Sequence, residues 1–315
     1  MQFPELRIGH LKPKYPIIQG GMALRVSTAP LAAAVANAGG IGIIGATGLP
    51  HDELREEIRK AKRLSKDGII GVNIMFAVRD FAEMVAISMQ EKIDVIFTGA
   101  GFSRDIFAWG KKFGIPIVSI VSSARLAKMA EKQGASAIVG EGFEAGGHLG
   151  TDRSTKDIIP EIKAAVSIPV IAAGGMVDGR DIAEMMRLGA DGVQLATRFV
   201  LSEECTVSDR FKQHYLDARE EDVVIIKSPV GMPGRAIRNP FSERIAGGEA
   251  PKPVECRKCL KVCSKEYCII QALDNSRLGN TDEGVVFSGQ NVFKIKEILP
   301  VGVIFENLIR EFGEA

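Results

Sequence analysis

The chain lacks the features that would announce several broad classes of protein. No run approaches the ~18 uninterrupted apolar residues of a membrane-spanning helix, and residues 1–14 show no basic stretch followed by an apolar one, as a signal peptide would. A soluble, cytoplasmic protein is therefore expected. Charge excess is also missing: 40 Lys and Arg stand against 39 Asp and Glu, for a net charge of +1. That balance gives no reason to expect nucleic acid or an anionic membrane as a partner, since both favour a basic face. Neither Gly-x-Gly-x-x-Gly between a strand and a helix nor Gly-x-x-x-x-Gly-Lys-Ser/Thr occurs, so no Rossmann dinucleotide site and no nucleoside-triphosphatase loop is indicated.

Apolar sequence is plentiful. At 315 residues and 46% hydrophobic the chain can bury a large core, as one barrel with an insertion or as two domains. Short β-branched runs alternate with longer segments of helical period for about 200 residues, the pattern of a parallel sheet covered by helices. Strands are expected over 16–19, 40–44, 69–73, 95–98, 116–120, 137–140, 169–172 and 192–196, and helices over 28–38, 51–64, 80–90, 103–112, 123–133, 155–166 and 179–188. Gly134 and Gly189 follow two of these helices, at the place that tolerates a left-handed backbone.

Eight strands about 25 residues apart favour an α/β fold of the closed (β/α)8 TIM-barrel type over an open doubly wound sheet. The alternation breaks after Phe199 and helical period returns only over 294–312. The expected organisation is a barrel over 1–203, an inserted cap over 204–293, and a C-terminal helix over 294–315 that closes the barrel.

A barrel places its site at the carboxyl ends of its strands. Those ends carry Gln19-Gly-Gly-Met-Ala23, Asn73, Glu141 to Gly150, Ala173-Gly-Gly-Met176 and Gln194-Leu-Ala-Thr-Arg198. Gly174-Gly175 before a helix, beside Ala196-Thr197 on the next strand, reads as a phosphate cup of backbone N–H groups and a helix amino terminus. A flat, uncharged ring across the mouth would use Gly20-Gly21 for close approach and Asn73 and Gln194 for edge hydrogen bonds. FMN has that shape. The segment Glu141-Gly-Phe-Glu-Ala-Gly-Gly-His148-Leu-Gly150 adds four glycines and one imidazole at a strand end, a placement that suits chemistry near neutral pH. His10, His51 and His214 are expected to be solvated surface residues.

Five strings carry a resemblance: Pro16-Ile-Ile-Gln-Gly-Gly-Met22, Gly71-Val-Asn-Ile-Met75, Glu141-Gly-Phe-Glu-Ala-Gly-Gly-His148, Ile171-Ala-Ala-Gly-Gly175 and Gln194-Leu-Ala-Thr-Arg-Phe199. In this order, over about 15–240, they resemble the nitronate monooxygenase (2-nitropropane dioxygenase) family, with a weaker echo at Phe287-Ser-Gly-Gln290. The related enoyl-ACP reductase II flavoproteins share all five. The resemblance implies a TIM barrel that binds FMN non-covalently. It places Gly20, Gly21, Met22, Ala23, Asn73, Glu141, Gly146, Gly147, Gly174, Gly175, Met176, Gln194, Ala196 and Thr197 around the flavin, and His148 beside its reactive face as the catalytic residue.

The activity this implies first is FMN-dependent oxidation of a nitronate or similar small acid. The near alternative is NAD(P)H-dependent reduction of an enoyl thioester, with acyl carrier protein as a partner; a homodimer fits either. A non-catalytic phosphate-binding barrel is the reading from another class. One feature departs from the family pattern. Cys256, Cys259, Cys263 and Cys268 crowd four of the five cysteines into 13 residues, which in a reducing compartment points to zinc or a [4Fe–4S] cluster before disulfides. Cys205 is expected to be a buried small hydrophobe.

Overall fold

The computed structural model describes residues 2–101, 103–253 and 255–315. Eight parallel strands close on themselves: β1 (Ile17–Gln19), β2 (Ile41–Gly45), β3 (Ile69–Met75), β4 (Val95–Gly99), β5 (Ile117–Val121), β6 (Ala137–Glu141), β8 (Val170–Ala173) and β9 (Gly192–Leu195). Three further short strands, β7 (Gly147–His148), β10 (Val223–Lys227) and β11 (Pro233–Ile237), form a separate antiparallel sheet in the order β10-β11-β7. This is a (β/α)8 TIM barrel, as the eight-strand alternation predicts. Each barrel strand is covered on both faces, which is why it reads as a continuous apolar run. The inward side chains include Ile18, Ile43, Val95, Phe97, Val139 and Ile171, which pack as one cluster, while Ile17, Ile44, Val72 and Ile96 pack outward against the helices. Leu6 and Ile8, from the segment before β1, join the inner cluster.

The helices are α1 (Ala29–Asn37), α2 (His51–Leu64), α3 (Phe81–Gln90), α4 (Arg104–Phe113), α5 (Ala124–Gln133), α6 (Thr155–Ala165), α7 (Gly179–Arg187), the single turn α8 (Thr197–Val200), α9 (Asp209–Asp217), α10 (Pro240–Gly247), α11 (Ile269–Arg277) and α12 (Val301–Glu314). Ser103, Ser123, Ser154 and Asp178 each accept a backbone N–H in the first turn of their helix, and this fixes where α4, α5, α6 and α7 begin. The last helix starts at Val301 rather than at 294, because Pro300 stands at its N-cap. It lies between α7 and α1: Leu308 backs Gly179, and the Phe305 ring fills the space beside Gly40.

The segment between α8 and α12 is more ordered than its polar, glycine-rich sequence suggests. It contains α9 to α11 and both long strands of the small sheet, and Leu260, Tyr267, Ile269 and Ile270 are buried in the main core. These anchors give the cap an apolar footing of its own on the barrel. Among the described residues no helix is long and apolar enough to cross a membrane.

Phe97 is 1% exposed and fills the barrel interior, whereas Leu278 is 57% exposed at the end of α11. Phe97→Ala is expected to cost ~3–5 kcal/mol in a urea titration, and Leu278→Ala to stay within about 0.5 kcal/mol of the parent.

Candidate active site

The inward-facing rows of the strands do not stop at the apolar core. Continued toward the carboxyl ends, they bring Asn73 of β3, Glu141 of β6 and Gln194 of β9 to the top of the barrel, where they line a cavity of about 500 Å³. Strand period alone therefore produces a polar floor. Gly20, Gly21, Met22 and Ala23 enter the same cavity after β1, Gly146, Gly147 and His148 from the loop after β6, and Ala196 and Thr197 after β9. The roof comes from the cap: Leu260, and Ile269, Ile270 and Leu273 of α11. Among the described residues no Lys or Arg lines this cavity.

The glycine-rich loop is held in one shape. Residues 147 and 148 form β7, paired with Arg235 and Gly234 of β11, and the Leu149 amide donates to the Pro233 carbonyl. Arg235 is 4% exposed; its guanidinium donates to the carbonyl oxygens of Ala145 at 3.2 Å and Phe143 at 2.7 Å and lies over the Phe143 ring. Gly146 must lack a side chain, since a Cβ there would stand 2.6 Å from the Ser288 backbone carbon. Neither the pairing nor the Arg235 clamp was anticipated from the sequence, because two residues cannot show strand period and their partners lie more than 80 positions downstream.

His148 Nε2 is 2.7 Å from Ser228 Oγ, and the ring stands edge-on to Phe287. Burial pushes its pKa down to about 4, so the imidazole is neutral at physiological pH. Burial acts oppositely on Glu141, whose carboxyl is pushed up to about 7.

Behind Glu141 lies a second, smaller cavity of about 60 Å³, shared by Glu141, Gly146, Gln194, Ala196 and Thr197 and completed by Gly174, Gly175 and Met176. Gly174 and Gly175 have φ of +112° and +81°, a backbone shape that favours glycine. Their amides and that of Met176 make no hydrogen bond within the described residues and are left for a ligand. The expected helix terminus is not part of this cup. Asp178 takes the amides of Arg180 and Asp181, and Asp181 takes those of Val177 and Asp178, so α7 is already capped. The cup is finished instead by Gly289, Asn291 and Val292, which return from the cap. The Gly289 amide donates to Thr197 Oγ1 at 2.8 Å, and Asn291 Nδ2 to the Gly175 carbonyl at 2.6 Å. The short Phe287-Ser-Gly-Gln290 string was the sole sequence signal of that return.

The expected four-cysteine metal centre is not assembled: no three His, Cys, Asp or Glu among the described residues group closely enough to hold a metal ion. Residues 259–261 run beside 77–79, with Arg79 donating to the Cys259 carbonyl and Lys261 to that of Ala77, Ser264 is tied to Pro229, and Cys268 is the N-cap of α11. Cys256 is exposed. Burial first, and the neighbouring thiols after it, push the Cys259 thiol up, the reverse of an activated thiolate. Cys205 is buried against the Val26 carbonyl and pushed up to about 11. His10 and His51 are exposed, but His214 is not the surface residue expected: it is half-buried, with Nε2 lacking a partner in the described structure, and burial lowers its pKa.

A polar floor, an apolar slot above it, and a small cup of unbonded amides next door suit a flat ring joined to a phosphate by a short chain, and the slot has the size of a cofactor site. This is the arrangement of an FMN-dependent barrel oxidoreductase. Comparison with known proteins agrees and narrows it. The family model described as nitronate monooxygenase matches residues 5–84 and 66–311, and the chain belongs to that family. A probable nitronate monooxygenase of Staphylococcus aureus is 30% identical over 96% of both chains. Two (3aS,4S,5R,7aS)-5-hydroxy-7a-methyl-1-oxo-octahydro-1H-indene-4-carboxyl-CoA dehydrogenases, of Rhodococcus jostii and Mycobacterium tuberculosis, are each 35% identical, over 71% and 75% of this chain. The matches span 63% and 66% of those two proteins. Among solved structures, FabK from Thermotoga maritima superposes with a TM-score of 0.87 at 36% identity, covering 96% of this chain and 94% of that one. Nitroalkane oxidase from Streptomyces ansochromogenes gives 0.83 at 25% identity, covering 96% of each. The chain thus stands among oxidoreductases that share this family and this barrel.

A Cβ on Gly175 would stand 3.0 Å from that of Glu144, in a backbone shape side chains avoid. Gly175→Leu is therefore expected to purify folded by circular dichroism but with less than about a tenth of the parent's flavin absorbance, since its amide would leave the cup.

Proposed function

We propose that this oxidoreductase reduces the carbon–carbon double bond of an apolar enoyl thioester, drawing electrons from NAD(P)H. The carrying observation is the character of the larger cavity: its described lining has no cation, and its roof is apolar. A nitronate anion placed there would lose its hydration without an opposite charge to offset the loss. An enoyl thioester is neutral, needs one hydrogen bond at its carbonyl, and gains from burial of its chain against Leu260, Ile269, Ile270 and Leu273.

In this reading bound FMN supplies the hydride chemistry. The amides of Gly174, Gly175 and Met176 hold its phosphate, and Asn73 and Gln194 meet its polar edge. His148, neutral, donates a hydrogen bond to the substrate carbonyl, and Ser228 at 2.7 Å from Nε2 holds the ring in place. The thioester is carried by acyl carrier protein or coenzyme A, and NAD(P)H reaches the slot before the substrate does.

Nitronate chemistry is the second reading, favoured by the family description and the Staphylococcus aureus relative. A neutral His148 then suits abstraction of the α-proton from an uncharged nitroalkane better than pairing with its anion.

Anaerobic mixing separates the two. Purified enzyme reduced by NADPH or NADH should be reoxidised rapidly by a crotonyl thioester and faster by longer-chain enoyl thioesters. Flavin reduction by a nitroalkane alone, with no response to any thioester, would overturn the reductase reading. His148→Ala should keep its flavin and lose ~10²–10⁴-fold in turnover; parental turnover with every substrate would remove His148 from the chemistry.

A further inference from the structure

Glu141 takes no part in the chemistry above, yet it is the one acidic side chain among the described residues lining the larger cavity. It also lines the phosphate-sized cup, and so stands where the two cavities join. No donor in the described structure bonds its carboxyl. The groups that face it offer no compensation. Asn73 of β3 and Gln194 of β9 are uncharged, β8 presents Ala173, β5 turns Ile120 inward, and His148 on its own loop is neutral. No Lys or Arg lines either cavity among the described residues. Glu144, also in the cup, differs: the amide and hydroxyl of Thr155 both donate to its carboxyl group, each at 2.8 Å.

We propose that the protein binds FMN together with one proton, held on Glu141, whose neutral carboxylic acid donates a hydrogen bond to the cofactor where its ring joins the phosphate-bearing chain. This rests on FMN being the cofactor and is independent of which substrate is turned over. Two effects act in the same direction. The ring edge offers carbonyl and nitrogen acceptors, which a carboxylate cannot serve and a carboxylic acid can. The phosphate carries negative charge into the cup that Glu141 lines, and a like charge disfavours ionisation. Without ligand the carboxyl already titrates near 7, so at pH 8 the free protein holds it mostly ionised and binding must draw a proton from solution.

The sign follows from linkage. Where the complex holds a proton that the free protein has released, affinity falls as pH rises, by at most tenfold per pH unit for one group. The full-length protein, stripped of FMN and reloaded by titration calorimetry at pH 8 in two buffers of different ionisation enthalpy, should take up close to one proton per FMN. Glu141→Gln, which keeps the shape and a donor, should bind FMN without that uptake, and its affinity should stay flat between pH 7.5 and 9 while the parent's falls about tenfold per unit. Equal proton uptake by the two proteins, or none by the parent, would overturn the proposal. If the variant fails to fold, the parent alone decides: its bound-minus-free infrared difference spectrum at pH 8 should gain a protonated carboxylic acid band. Absence of that band would overturn the proposal equally.

Discussion

Order at the mouth of the barrel depends on one buried cation. The loop after β6 holds Gly142, Gly146 and Gly147 within six residues, and glycine loses more backbone freedom on ordering than any other residue. Arg235 offsets that loss by donating to two carbonyls of the loop from a site nearly closed to water, where charge-assisted hydrogen bonds are strong. Among the described residues its guanidinium has no bonded carboxylate; the carbonyl dipoles, the Phe143 ring and the more distant charge of Glu144 compensate it. Because Arg235 sits on β11 and pairs with Gly147, the same residue sets where His148 stands. The imidazole is thus positioned by a strand more than 80 residues downstream.

The parts of this fold that were legible in the sequence are those with a local physical cause. Parallel strands covered on both faces must be apolar throughout, so all eight read clearly, and the helical period of the segments between them placed the helices that cover the barrel. The floor of the site was legible for the same reason: Asn73, Glu141 and Gln194 interrupt apolar runs where strand period turns a side chain inward. What could not be read depends on distant pairing. β7 has two residues, Arg235 looks like any exposed arginine of a polar stretch, and the return of residues 289–292 to the cup leaves a four-residue string. The cysteines are a related case: their spacing is local, but whether the thiols close on one centre depends on the fold of the whole segment, which spacing cannot reveal. The helix terminus at α7 misled, because Asp178 and Asp181 had already taken its amides.

Burial does opposite things to the two titratable groups of the site. It keeps His148 neutral and pushes the Glu141 carboxyl up to about 7, so neither is fully charged at neutral pH. With no Lys or Arg in the described lining, the slot is nearly charge-free, and the negative charge of a phosphate is confined to the neighbouring cup of amide dipoles. Charge separation between two adjoining cavities lets one end of a ligand be held electrostatically while the other meets an apolar surface.

Floor and roof come from different parts of the chain. The floor is built by the ends of barrel strands, whose inward side chains are fixed by the packing of the whole core, whereas α11 and Leu260 lie on a segment outside the barrel. A replacement among Ile269, Ile270 and Leu273 therefore alters the ceiling without disturbing the residues that cradle the cofactor. In a lineage built on this plan the redox half can be inherited unchanged while the ceiling drifts, and a new substrate range is reached by repacking three side chains on one helix.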